Sequence, residues 1–142
     1  MSRVHKASTQ KRTIRAVWVD DDNFYLKWLL PEMYKIAGKH LIIKEFNTST
    51  LALIQIRDFP PDIVLTNLIM PQPDGIEFIK LIREFNKQIP IVVVSARFNP
   101  KILRDVRNAG ANSFFFKKDM NLNILSAKID ILTSGRNHAA AR

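Results

Sequence analysis

The sequence predicts an α/β protein built on one doubly wound sheet of five parallel strands. Two observations carry that prediction. Five short apolar runs alternate with five amphipathic stretches, and several of the runs are apolar at every position rather than at every second one. A strand with one solvated face alternates, whereas a strand covered on both faces does not, and the crossover helices of a parallel sheet supply both covers. Right-handed crossovers between successive strands then give the doubly wound arrangement.

The first run, AVWV at residues 16 to 19, ends in Asp20, Asp21 and Asp22. Leu26, Leu29, Met33 and Ala37 follow at helical spacing, and Gly38 stands where that helix should stop. Pro31 falls inside this stretch, removes a backbone donor and predicts a kink or a late helix start. The second run is LIIKEF at 41 to 46, followed by a shorter, weaker helical stretch over 49 to 58. Pro60 and Pro61 precede DIVLT at 62 to 66, which runs into Asn67. After Gly75, Ile76, Ile79 and Ile82 mark a third helix, and Pro90 precedes IVVV at 91 to 94, which ends at Ser95. Leu103, Val106 and Ala109 follow Pro100 and are punctuated by Gly110. The last run, SFFF at 113 to 116, ends in Lys117 and Lys118, and Leu122, Leu125, Ile129 and Leu132 form the final helical stretch.

A chain of 142 residues has room for one domain with a sizeable core. Its 46% hydrophobic and 25% charged residues are those of a soluble globular protein, and no apolar run approaches the roughly 18 residues a membrane span needs. Zero cysteines exclude disulfides, thiol chemistry and thiolate metal sites, and make a cytoplasmic setting the default. The net charge of +9 is concentrated at the ends. Arg3, Lys6, Lys11, Arg12 and Arg15 precede any acid, and Arg136 and Arg142 close the chain, so seven of the nine excess charges lie in two end segments. The expected organisation is a flexible basic tail at 1–13, one domain at 14–134 and a second tail at 135–142. Such tails either aid solubility or touch nucleic acid or an acidic partner electrostatically. His5, His40 and His138 are scattered and suggest neither a triad nor a metal site.

Ligands of open α/β sheets bind at the carboxyl ends of the strands, so the polar residues ending each run are the candidate site: Asp20, Asp21 and Asp22, Asn67, Ser95, and Lys117 with Lys118. Adjacent carboxylates repel, and a divalent cation such as Mg²⁺ or a helix N-terminus relieves them. Asp22 suits the helix cap, and Asp20 and Asp21 suit the crevice.

Four stretches carry a resemblance beyond this pattern: VDDD (19 to 22), PDIVLTNLIMPQPDG (61 to 75), PIVVVSA (90 to 96) and NAGANSFFFKK (108 to 118). Together, in this order, they resemble the receiver domain of response regulators, the CheY-like, flavodoxin-type fold of two-component signalling, over roughly residues 14 to 134. The resemblance implies strand order 2-1-3-4-5. It implies Mg²⁺ held by Asp20, Asp21 and the backbone carbonyl of Ile69, with Asp21 the direct side-chain ligand. It makes Ser95 the hydroxyl that meets a phosphoryl group, Lys117 the cation that pairs with that group or with the acids, and Phe114 the aromatic switch. Plain packing accounts for Ser95 and Phe114 equally well.

The phosphoacceptor aspartate of the family falls on Asn67, where the pattern breaks. A carboxamide has no negative charge with which to attack phosphorus, so Asn67 cannot form an acyl phosphate. Thr66 is one residue away and points to the other face of the strand, and Asp62 lies at its far end. With two acids and an amide the metal site is weakened, and an ion pair from Lys117 to Asp20 or Asp21 can fill the crevice without metal. Lys118 replaces the proline usual after the family's lysine, which predicts a trans bond there and a rearranged loop before the last helix.

The expected function is an atypical receiver, standing alone, that works by protein–protein contact, requires no cofactor, catalyses nothing and rests in an inactive-like conformation. Burial of Phe114 with Ser95 drawn toward Asn67 would contradict that conformation. Arg97, Lys101, Arg104, Arg107, Lys117 and Lys118 suggest a basic face on the fourth helix and beyond it. That face is either plainly solvated or meets an acidic partner, such as a signalling protein or sensor kinase, with the chain a monomer or weak homodimer. Other readings are an ordinary phosphoacceptor receiver carrying an engineered Asp-to-Asn change at 67, a small nucleic-acid-binding protein acting through its tails, and a Mg²⁺-using hydrolase relative. Few aromatics interleave the basic residues, which argues against base stacking.

Overall fold

The computed structural model of the chain describes residues 12–135. The tails expected at 1–13 and 135–142, and any role for them, fall almost wholly outside the described residues. In order, the elements are β1 (Ile14–Val19), α1 (Asn23–Ala37), β2 (Leu41–Phe46), α2 (Ser49–Asp58), β3 (Ile63–Thr66), α3 (Gly75–Phe85), β4 (Ile91–Ser95), α4 (Pro100–Ala109), β5 (Ser113–Phe116) and α5 (Leu122–Thr133), with 3₁₀ turns at Gly38–His40 and Lys117–Asp119. Five parallel strands form one sheet in the order β2-β1-β3-β4-β5. This is the doubly wound arrangement anticipated from the apolar runs. None of the described helices is long and apolar enough to cross a membrane.

Strand periodicity divides the core into two layers. Ala16 and Trp18 of β1, Ile63 and Leu65 of β3, and Val92 and Val94 of β4 pack under α1 and α5, against Leu29, Met33, Leu125 and Ile129. Val17, Val64, Ile91 and Val93 face the opposite way, onto Ile56 of α2, Phe78, Ile79 and Ile82 of α3, and Val106 of α4. Each fully buried aliphatic side chain contributes about 1.5–3 kcal/mol over its exposed state, so the middle strands have reason to be apolar throughout. The outer strands differ. SFFF reads as a doubly covered strand, but β5 is an edge and all four of its residues are only half-buried. The first strand begins at Ile14, two residues before AVWV, because Arg15 pairs with Ile42 and donates its N–H to Asp62 Oδ2 at 2.8 Å.

Side-chain caps fix where the helices start. Asp22, Thr48, Asp74, Asn99 and Asn121 each accept a hydrogen bond from a backbone N–H in the first turn of the helix that follows, a device worth about 1 kcal/mol apiece. Asp22 thus acts as expected. The late start expected from Pro31 is not found, since α1 runs unbroken from Asn23. Pro31 lies on the exposed side together with Lys27, whose carbonyl loses its donor where water can replace it.

Gly75 lets α3 begin against the end of β3. Its N–H donates to Leu68 O at 2.8 Å, and a Cβ added there would meet the carbonyl oxygen of Asn67 and stand 2.5 Å from Leu68 Cα. Both obstacles are backbone, so a methyl group has to move the chain itself. Gly75→Ala is expected to lower the unfolding free energy by about 2–3 kcal/mol in a urea titration. A variant as stable as the parent would show that this approach is not tight.

Candidate functional site

The carboxyl ends of β1, β3, β4 and β5 deliver Asp20, Asn67, Ser95 and Lys117 to one rim of the sheet. Asp20 has no solvent exposure. Lys117 Nζ donates to its Oδ2 at 2.6 Å, while its Oδ1 accepts from Asp22 N at 2.9 Å and from Asn67 Nδ2 at 3.3 Å. The Lys117 side chain is only 12% exposed, and its ammonium sits 4.0 Å from the centre of the Tyr25 ring, a cation–π distance. An ammonium thus lies between a buried carboxylate and an aromatic face.

Burial pushes the Asp20 carboxyl above its ordinary value of 3.8, against the opposing pull of the Lys117 and Asp22 hydrogen bonds. Desolvation outweighs pairing, the usual balance for a buried ion pair. Burial, then the charges of Asp20 and Asp22, push the Tyr25 hydroxyl far upward, so the phenol stays neutral.

Asn67 is 7% exposed, and its backbone N–H donates to Val19 O at 2.9 Å, which locks the end of β3 to β1. Its side-chain Oδ1 accepts from Leu68 N at 2.9 Å. Its Nδ2 faces three oxygens: Ile69 O at 3.1 Å, Asp20 Oδ1 at 3.3 Å and Asp21 Oδ1 at 3.5 Å. The first is an ordinary hydrogen bond and the other two are long. The amide orientation follows from its neighbours, because exchanging O and N would set oxygen against three oxygens and turn the NH₂ onto the Leu68 N–H.

The other sequence-predicted residues divide. Ser95 is fully buried, and its Oγ accepts from Arg97 N at 3.0 Å, so it organises the loop after β4. Phe114 is half-buried and packs on Phe98 with ring centres 5.7 Å apart. Thr66 turns its hydroxyl to Asn67 O at 2.9 Å. Arg97, Lys101, Arg104, Arg107 and Lys118 are exposed as expected, but Lys117 does not join that face, because Asp20 draws it into the crevice. Lys101 binds Asp105 at 2.7 Å, and the Asp105 carboxyl is held below its ordinary range first by that bond and also by Arg104 and Lys80. The Lys117–Lys118 bond is trans, and a 3₁₀ turn forms the loop there. Sequence reasoning missed Tyr25: an aromatic three residues past a helix cap carries no signal that a lysine from the far edge will reach it.

The arrangement does not suit Mg²⁺. Among the described residues no three acids or histidines come together as a metal site. The oxygens of Asp20, Asp21 and Ile69 that would hold the cation converge on an N–H donor, and donors cannot ligate metal.

Removing Lys117 strands a buried carboxylate. Lys117→Met is expected to cost about 3–5 kcal/mol in chemical denaturation, with Asp20→Asn/Lys117→Met recovering much of the loss. The pH dependence has a definite sign. A carboxyl whose folded pKa lies above its unfolded one favours folding below 3.8 and loses that contribution as pH rises through the folded value. Lys117→Met should therefore lose stability with rising pH above 3.8 more steeply than the parent. Adding Asp20→Asn should abolish the extra slope, and a slope that persists in the double variant would assign it elsewhere.

Residues 17–130 match the response regulator receiver domain. The chemotaxis protein CheY of Halobacterium salinarum is 27% identical over 119 residues, covering 82% of this chain and 94% of that protein. The probable C4-dicarboxylate response regulator DctR of Halalkalibacterium halodurans is 27% identical over 104 residues, 73% of this chain and 45% of its own. The chain spans less than half the length of several curated relatives, including 17% of the DNA-binding transcriptional regulator NtrC of Salmonella typhimurium, with which it is 29% identical over 80 residues. Among solved structures, the receiver domain of the Francisella response regulator 1452 superposes with a TM-score of 0.78 at 18% identity, covering 87% of this chain and 99% of that one. Vibrio cholerae CheY4 superposes at 0.73 with 20% identity, covering 84% and 98%. Sheet order, helix placement and the match over most of its length agree: the chain belongs to the response regulator receiver domain family.

Proposed function

We propose that this receiver accepts no phosphoryl group at position 67 and acts in two-component signalling through protein–protein contact. One observation carries the reading. The side chain at the end of β3, in the crevice beside Asp20 and Asp21, is a buried carboxamide whose oxygen is already spent on the Leu68 N–H. Phosphoryl transfer needs an electron-rich oxygen free to attack, and an amide oxygen in that bond supplies none. The neighbours offer no substitute on the strand: the Thr66 hydroxyl is engaged with Asn67 O, and Asp62 serves the Arg15 N–H at the opposite end.

Such a domain signals by what binds it. The exposed basic residues Arg97, Arg104, Arg107 and Lys118, with Phe98 half-exposed among them, suit an acidic partner surface, a sensor kinase or another signalling protein. Ser95 held to Arg97 N and Phe114 set against Phe98 support a resting arrangement in which neither residue turns toward Asn67.

Incubation with acetyl phosphate and Mg²⁺, followed by intact mass measurement, tests the reading. The unaltered chain should gain no phosphoryl mass, and Asn67→Asp should gain one equivalent. A phosphoryl adduct on the unaltered chain would overturn the proposal.

A further inference from the structure

We infer that the Asn67 carboxamide is a tethered substitute for a divalent cation, and that it makes the state of this crevice independent of Mg²⁺. The inference rests on the receiver reading of position 67 and goes beyond it: the residue that removes the nucleophile also removes the need for metal.

Geometry carries the argument. Two carboxylates and a carbonyl at a strand end need a positive centre among them. Asn67 Nδ2 offers two polarised N–H bonds to Ile69 O at 3.1 Å, Asp20 Oδ1 at 3.3 Å and Asp21 Oδ1 at 3.5 Å. Lys117 takes the remaining Asp20 oxygen at 2.6 Å, and Asp22 N supplies a further donor at 2.9 Å. Both oxygens of Asp20 are therefore satisfied from within the chain, by β3, by the first turn of α1 and by the end of β5. A divalent cation of the Mg²⁺ type takes oxygen ligands at about 2.0–2.1 Å in near-octahedral order, so it could enter only by expelling the amide nitrogen and loosening Lys117. The charge that would reward entry is small, because Lys117 already offsets one of the two carboxylates.

An amide at this position is thus more than a missing charge. A carboxylate would bring a further negative oxygen to the same point and make cation binding necessary; alanine would leave the three oxygens without a bridge. The three side chains have distinguishable consequences.

The test is a Mg²⁺ titration read by melting temperature, against Na⁺ at matched ionic strength, and by Trp18 fluorescence in a Trp28→Phe background. Trp18 is fully buried two residues before Asp20, and Trp28 is exposed and would blur the signal. The unaltered chain should melt at the same temperature with and without Mg²⁺. Asn67→Asp should melt lower in metal-free buffer, recover with Mg²⁺ and bind it about tenfold or more tightly than the parent. Asn67→Ala should also melt lower without metal and acquire a Mg²⁺ response that the parent lacks. Stabilisation of the unaltered chain by Mg²⁺ beyond that given by Na⁺ at matched ionic strength would overturn the inference. So would an Asn67→Ala protein no less stable and no more Mg²⁺-responsive than the parent. A Mg²⁺ response in a parent chain that still takes no phosphoryl group would defeat the tether alone, whereas a phosphoryl adduct on the parent would defeat the reading beneath it.

Discussion

A carboxylate with no solvent exposure has to be compensated on every side, and Asp20 imposes that demand on the whole upper rim of the sheet. Placed at the end of a central strand, it is reached by the ammonium of Lys117 from the edge strand, by the Asp22 N–H from the first helix and by the Asn67 amide from the neighbouring strand. The partners are themselves constrained. Lys117 is covered by the Tyr25 ring, and Asn67 is pinned by its backbone bond to Val19. Burial still raises the Asp20 pKa, against the opposing hydrogen bonds from Lys117 and Asp22. The two apolar layers lie directly beneath that rim, with β1, β3 and β4 packed on both faces.

Within that rim, one functional group decides the chemistry. Carboxylate and carboxamide have nearly the same shape, but one edge of the amide is a donor, so the side chain at 67 draws acceptors inward. Asp20, Asp21 and Ile69 supply those acceptors, and Leu68 N supplies the donor for the other edge. Every hydrogen-bonding edge of the side chain is thereby used. The proposed loss of phosphoryl acceptance and the proposed indifference to metal are consequences of the same hydrogen-bond inversion. Output by partner binding is the proposed role that remains to the domain, with the exposed Arg97, Arg104 and Arg107 in and before α4 as the proposed contact.

The fold was legible because double burial leaves a mark that residue type alone can carry. IVVV and IVLT have no polar alternation, and the helices between them keep their apolar faces at three- and four-residue spacing. Cap residues at 22 and Gly at 38 and 110 mark helix limits for stereochemical reasons that need no tertiary context. Edge position, in contrast, is set by topology: SFFF looks as apolar as IVVV, and only the sheet order shows that β5 has an open side. Pro31 delays no helix start, because its cost depends on whether water can reach the orphaned carbonyl. The site residues could be gathered from strand ends, but Lys117 belongs equally to a basic surface and to a crevice until the reach of its side chain is known. Tyr25 over its ammonium, and the direction of the Asn67 amide, are matters of orientation that a string of letters does not contain.

The Asn67 NH₂ is enclosed and bonded inside the crevice. Its side-chain amide protons can be observed directly by ¹H–¹⁵N correlation, with assignment from Asn67→Ala, and their exchange with solvent measured. Two well-separated proton resonances are expected, strongly protected from exchange and unmoved by Mg²⁺. Resonances with the shifts and rapid exchange of a freely solvated asparagine would show that the amide is not held in the crevice.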